Sequence, residues 1–223
     1  MLRLALELMH SKQVTVVDYG VGNLLSVKRS LENQGAQVVV TSDPKNIRCA
    51  QKLVLPGVGA FPRAVRALQE LELVEAIKEF ASKQRPLLAI CLGMQLLMEI
   101  GEEFVETEGL GLVPGRVVEL PRRTQDGEIL RIPHIGWNHL FPDQDPSDWK
   151  NSILRDLEVG DAVYFVHSFM VKPEKKEDVI ASVRYGDYDI PAVISSNQIT
   201  GCQFHPEKSG LVGLKIIGNF VSQ

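Results

Sequence analysis

Apolar residues in the first half of the chain fall into short unbroken runs separated by stretches with helical spacing. Val14 to Asp18, Gln37 to Val40, Lys52 to Leu55 and Leu87 to Ile90 are compact apolar runs, which predict buried strands. Leu24 to Asn33 and Arg63 to Phe80 instead repeat apolar residues three and four apart, the spacing of a helix with one buried face. This alternation predicts an α/β fold, a mostly parallel central sheet with helices on both faces, and ligands at the carboxyl ends of its strands. From Val113 onward the pattern turns strand-rich: Arg116 to Leu120, Ala162 to Phe169, Val179 to Tyr185, Ala192 to Ser195 and Ile199 to Phe204 precede a closing helix over Leu211 to Val221. Ser196-Asn197 reads as a hairpin turn. No repeat, low-complexity tract or Pro/Gly-rich linker divides the chain.

A chain of 223 residues, 44% hydrophobic and 23% charged, is long enough for one sizeable core, so residues 14–223 are expected to form one domain. Residues 1–13 are expected to be an extension; Leu2, Leu4, Leu6 and Leu8 imitate a signal sequence, but Arg3 and Glu7 break it. A net charge of -4 argues against a nucleic-acid partner. The longest apolar stretch, Leu87 to Met98, is interrupted by Gly93 and Gln95 and falls short of the roughly 18 residues of a membrane span. Cys49, Cys91 and Cys202 show no paired spacing, which suits the reducing cytoplasm and leaves a thiol free for chemistry.

Cys91 is the thiol in question. It stands where the strand Arg85 to Ile90 turns into a helix over Leu92 to Glu99, and a helix N-terminus favours thiolate, the reactive form. Ala89 and Gly93, two residues to either side, are small, as a sharp nucleophile-bearing turn requires. A buried structural cysteine would explain the position equally well, and the balance is tipped by Gln203-Phe204-His205-Pro206-Glu207. Residues two apart on extended chain share a side, so Glu207 can orient His205 and His205 can take the Cys91 proton. An acyl-transfer site also needs two N–H donors for an oxyanion. Leu92 can supply one, and the Gly57-Val58-Gly59 loop after the strand Lys52 to Leu55 the other. Gly20-Val21-Gly22 lacks the third glycine of a dinucleotide site. A zinc deaminase reading of His205-Pro206-Glu207 fails because no two cysteines are separated by two residues, and His134 and His139 lack further ligands; no metal is expected.

Ile90-Cys91-Leu92-Gly93-Met94-Gln95 together with Phe204-His205-Pro206-Glu207 resembles the class I glutamine amidotransferases, which release ammonia from glutamine through a cysteinyl thioester on a flavodoxin-like fold. Asp18-Tyr19-Gly20-Val21-Gly22-Asn23-Leu24 and Pro133-His134-Ile135-Gly136-Trp137-Asn138 are similar to the branch that serves histidine biosynthesis, the glutaminase subunits of imidazole glycerol phosphate synthases. Leu55 to Phe61, Met94 and Tyr164 to Phe169 add to that likeness. The resemblance implies a triad of Cys91, His205 and Glu207, with Leu92, Gly57 and Val58 at the oxyanion. It implies that Gly59, Gln95, Glu103 and Ser168 hold glutamine, although Glu102 could serve in place of Glu103. No cofactor is implied. A (β/α)₈-barrel cyclase partner is, using the ammonia to make imidazole glycerol phosphate and aminoimidazole carboxamide ribotide. Trp137 and Asn138 would then lie at that interface, although a core tryptophan is an equal reading of the residue alone. A paralogous amidotransferase feeding a sugar-modifying synthetase is the alternative, and a catalytically silent scaffold is disfavoured by the intact triad residues.

Overall fold

In the computed structural model, residues 12–223 are described. The expected extension over residues 1–13 lies outside the described residues as far as residue 11, and Gln13 already opens the first strand. The strands are β1 (Gln13–Val17), β2 (Gln37–Thr41), β3 (Leu53–Gly57), β4 (Leu87–Cys91), β5 (Ile100–Gly101), β6 (Thr107–Glu108), β7 (Gly115–Glu119), β8 (His134–His139), β9 (Phe141–Pro142), β10 (Ala162–His167), β11 (Phe169–Pro173), β12 (Val179–Tyr185), β13 (Tyr188–Ser196) and β14 (Ile199–Cys202). The helices are α1 (Leu24–Asn33), α2 (Pro44–Cys49), α3 (Phe61–Glu70), α4 (Leu73–Ser82), α5 (Leu92–Leu96) and α6 (Gly210–Val221).

The main sheet runs β2-β1-β3-β4-β14-β13-β12-β9. It is parallel from β2 to β14 and antiparallel from β14 to β9. Every residue of β3 and β4 is buried, as strands covered on both faces must be. The two-residue period of a strand divides them between two cores. Leu53, Leu55, Leu87 and Ala89 join the core under α2, α3 and α4, while Val54, Leu88 and Ile90 join the one under α1 and α6. A four-stranded sheet, β11-β7-β5-β6, and the antiparallel pair β10-β8 stand beside the main sheet.

Three departures from the sequence reading bear on the site. The helix expected over Arg63 to Phe80 is two helices, broken at Glu72 with φ 55. In one continuous helix Leu68 and Leu73 would point about 140° apart; the break lets both enter the core, at 1% and 0% exposure. The helix after Cys91 ends at Leu96, not Glu99, because the returning chain takes its terminal carbonyls: Leu110 N donates to Leu96 O, and Leu112 N and Val113 N to Leu97 O. The strand expected over Ala162 to Phe169 breaks at Ser168, with β10 pairing β8 and β11 pairing β7 in separate sheets.

Besides the two-residue strands β5, β6 and β9, β8 and α2 escaped the pattern. In β8, His-Ile-Gly-Trp-Asn-His buries His134 and leaves Ile135 and Trp137 outside, which inverts the usual strand signal. α2 did carry a local signal, an Asp43 cap whose side chain accepts from Lys45 N at 2.9 Å, followed by Pro44.

Candidate active site

β3, β4 and β14 end side by side, and the site grows from their register. Gly57 pairs with Cys91, and Cys202 with Ile90, so the chain beyond β14 emerges next to the Cys91 turn. Cys91 itself has φ 55 and ψ -111, a conformation that side-chain-bearing residues rarely adopt. Its surroundings leave no room to relax: a Cβ on Gly93 would meet Leu55 O at 1.9 Å, and one on Gly57 would meet the Tyr19 hydroxyl at 2.6 Å. Tyr19 Oη in turn donates to Pro56 O at 2.7 Å and fixes the base of the Gly57-Val58-Gly59 loop. Gly57 is therefore glycine for space. Gly59 is glycine for conformation, with φ +96 and nothing near its Cβ position.

His205 Nδ1 lies 2.8 Å from Glu207 Oε1, with the two side chains 3% and 2% exposed. The contact was expected from extended chain; it comes instead from a single 3₁₀ turn, Pro206–Lys208, that folds Glu207 back beneath the imidazole. The backbone of His205 is pinned to β10, its N donating to Tyr164 O at 3.0 Å and its carbonyl accepting from Ser209 Oγ at 2.7 Å. Nε2 meets no partner at hydrogen-bond geometry among the described residues. Burial opposes a charged ring, but the Cys91 sulfur and then the Glu207 carboxylate outweigh it and push His205 up to about 9.

Cys91, Leu92, Gln95 and His205 open on a cavity of about 380 Å³. Val58, Gly59, Glu103 and Ser168 also line it, whereas Gly57 and Glu207 stand behind the wall. Glu103 faces the cavity, and its Oε2 accepts from Phe61 N at 2.6 Å; Glu102 is drawn away into an exposed ion pair with Arg116 at 2.7 Å. Gln95 Nε2 donates to Phe169 O and to Gln203 Oε1, each at 3.1 Å, which commits both its N–H groups. What remains of Gln95 for a ligand is an acceptor.

Across the cavity, His167 Nδ1 donates to Phe169 O at 2.9 Å, and His167 Nε2 lies 3.0 Å from His134 Nδ1. The carbonyl only accepts, so Nε2 of His167 is the acceptor and Nδ1 of His134 the donor. Burial pushes both rings down to about 4 and keeps them neutral. Trp137 is 58% exposed and edge-on to Tyr164 at 6.0 Å, on the surface rather than in the core; Asn138 donates to Arg184 O at 2.9 Å.

The sequence reading gave no site role to His167, Val166 or Pro133, which it met only inside motifs of the resemblance, nor to Lys208; all four also line the cavity. Nor did it give Gln203 a role, although its Nε2 lies 3.8 Å from Cys91 Sγ. Only its place two residues before His205 hinted at it.

The family model for glutamine amidotransferase class-I matches residues 15–223. The imidazole glycerol phosphate synthase subunit HisH 1 of Legionella pneumophila (strain Lens) is 47% identical, over 93% of this chain and 98% of its own length. Subunit HisH of Geobacillus thermodenitrificans (strain NG80-2) is 46% identical, over 93% and 94%. Among solved structures, PurLQS of Thermotoga maritima superposes with a TM-score of 0.69 at 15% identity, over 94% of this chain and 96% of that one. A glutamine amidotransferase of Thermotoga maritima gives 0.59 at 16%, over 89% and 77%. At such identities the superpositions speak for the fold alone. The fold, the match over almost the whole chain and the two close relatives agree: the chain belongs to the class-I glutamine amidotransferases and, within them, to the family of the HisH subunits.

Proposed function

We propose that the chain is the glutaminase subunit of an imidazole glycerol phosphate synthase, hydrolysing glutamine to glutamate and ammonia and passing the ammonia to a partner cyclase. The observation that carries the chemistry is the buried His205–Glu207 pair set against Cys91 at the wall of one cavity. Cys91 Sγ attacks the side-chain amide carbon, and its proton passes through His205 Nε2 to the leaving ammonia. The oxyanion is met by N–H groups of Leu92 and of the Gly57-Val58-Gly59 loop. Water deprotonated by His205 then opens the thioester, releasing glutamate and restoring the thiol. Glu207 stabilises the imidazolium formed in each half. Gln95 and Glu103 both present acceptors, which suits the α-ammonium of glutamine, with Ser168 and Gly59 completing the grip.

Nothing in the site supplies ring-forming chemistry, so the ammonia serves a second subunit, the (β/α)₈-barrel cyclase. Exposed apolar side chains near the strands' carboxyl ends support a docking face there: Trp137, 58% exposed, Ile135, 59%, and Leu211, 80%. Trp137 is its anchor and Asn138 its polar neighbour. Residues 14–223 act as one domain, since β1 and β14 share one sheet. Three unpaired cysteines fit the reducing cytoplasm, and no described helix is long and apolar enough to cross a membrane. The test is reconstitution with the cyclase subunit and measurement of glutamine-dependent imidazole glycerol phosphate. Glutamine hydrolysis without that product, but with amination of a different acceptor, would retain the glutaminase and discard the pathway.

A further inference from the structure

Gln203 has no part in the chemistry above, yet its side chain is 0% exposed and touches the reacting sulfur. The register of β14 on β4 brings it there: Cys202 lies opposite Ile90, so the next residue falls beside Cys91. Two contacts to Cys91 Sγ oppose each other chemically. Val166 O, at 3.9 Å, is an acceptor and suits the thiol; Gln203 Nε2, at 3.8 Å, is a donor and suits the thiolate.

The direction of the Gln203 amide is forced from a distance. Phe169 O can only accept, so Gln95 must turn its Nε2 toward it. The second N–H of that same nitrogen then meets Gln203 Oε1 at 3.1 Å, which leaves Gln203 its Nε2 for the sulfur. A reversed Gln203 would set N–H against N–H at one end and a carbonyl oxygen against the thiolate at the other, and Gln203, at 0% exposure, has no water to relieve the first. His167, donating to the same Phe169 O, holds the far end of the chain.

We propose that Gln203 is a further catalytic residue, whose amide N–H donates to the Cys91 sulfur and holds the nucleophile as thiolate, with Gln95 positioning it. The inference rests on the reading of Cys91 as nucleophile. His205 with Glu207 behind it, Tyr19 beneath the turn, and His167, Glu103 and Lys208 around the cavity are the titratable groups facing the sulfur. Changing Gln203 alone alters none of these residues.

The test is the pH profile of Cys91 alkylation by iodoacetamide in the full chain, read by peptide mass spectrometry because Cys49 is exposed and reacts as well, while Cys91 is reached through the cavity. A donor that populates thiolate also lowers its nucleophilicity, with a Brønsted slope of about 0.4–0.5. For a tenfold loss of acidity, Gln203→Met is therefore expected to react about threefold more slowly where the thiol is largely protonated and about threefold faster where it is fully ionised. A profile lowered equally at every pH, as lost packing alone would give, or one that does not move, overturns the proposal. Should that variant not fold, the side-chain amide protons of Gln203 are compared by NMR in wild type and Cys91→Ala. One proton is expected to move upfield and exchange faster once its acceptor is gone, and unmoved resonances overturn the proposal. Glutamine hydrolysis surviving in Cys91→Ala is a separate result, which would remove the nucleophile reading itself.

Discussion

Glu207 is hydrogen-bonded to His205 at 2.8 Å through Oε1, while its second oxygen, Oε2, is buried without a partner among the described residues. A carboxylate so placed is stabilised chiefly by the imidazolium above it. Glu207→Gln keeps the shape and removes the charge. Loss of an orienting carboxylate can cost on the order of 10⁴ in turnover where a hydroxyl is the nucleophile; a smaller loss, about 10²-fold in kcat, is expected here because a thiol needs less help to ionise. Steady-state glutamine hydrolysis measures it. An unchanged rate would show Glu207 to be a bystander.

Cys91→Ala is expected to abolish glutamine hydrolysis and leave the reconstituted complex able to use free ammonium, since the synthetic step belongs to the other chain. Product formation from glutamine and from ammonium salts, compared side by side, decides it. Glutamine-dependent product in the variant would sink the triad.

The isolated chain is expected to hydrolyse glutamine slowly and to be stimulated by the cyclase and its ligand, because ammonia freed without an acceptor is lost. The Val58 peptide, flanked by glycines, is the element expected to turn and complete the oxyanion site, and one such donor is worth about 10²- to 10³-fold in kcat. Gly57 cannot test this, since any Cβ there collides with Tyr19 and Leu92. Gly59→Val can, because the space is open and only its φ of +96 is penalised. Stimulated kcat should fall more than basal kcat. Equal losses, or a lone chain already at full turnover, would refute the gating.

Stability should peak near neutral pH. His134 and His167 are held down to about 4, so the unfolded chain binds more protons between about 6.5 and 4 and stability is lost as pH falls through that window. His205, raised to about 9, works the other way: its contribution is present in full below about 6.5 and is lost as pH rises through 9. The alkaline arm amounts to a few kcal/mol, since a tenfold change in proton affinity is worth about 1.4 kcal/mol. Urea midpoints at pH 5, 7 and 9 should trace the peak. His134→Asn, which keeps a donor near Nδ1 but does not titrate, should flatten the acid side; an acid slope as steep as wild type would contradict the assignment.

The parallel core was legible in the sequence because β3 and β4 are buried on both faces and must be apolar throughout, and β1 departs from that only at Gln13 and Thr15. Cys91, His205 and Glu207 were legible for a different reason: a strand that turns sharply into a helix needs small neighbours, and an imidazole with a carboxylate two residues on leaves a local trace. Only the tertiary structure decided what depends on residues far apart in the chain. Glu103 rather than Glu102 reaches the cavity because Arg116 draws Glu102 away, and the break at Glu72 serves a core that no helical window contains. β8 was hidden because His134 turns inward to meet His167 of β10 while Ile135 and Trp137 face out. Gln203 gained its meaning from the register of β14 on β4 and from a carbonyl 34 residues earlier that directs its amide through Gln95, since hydrogen-bond polarity passes through space and not along the sequence.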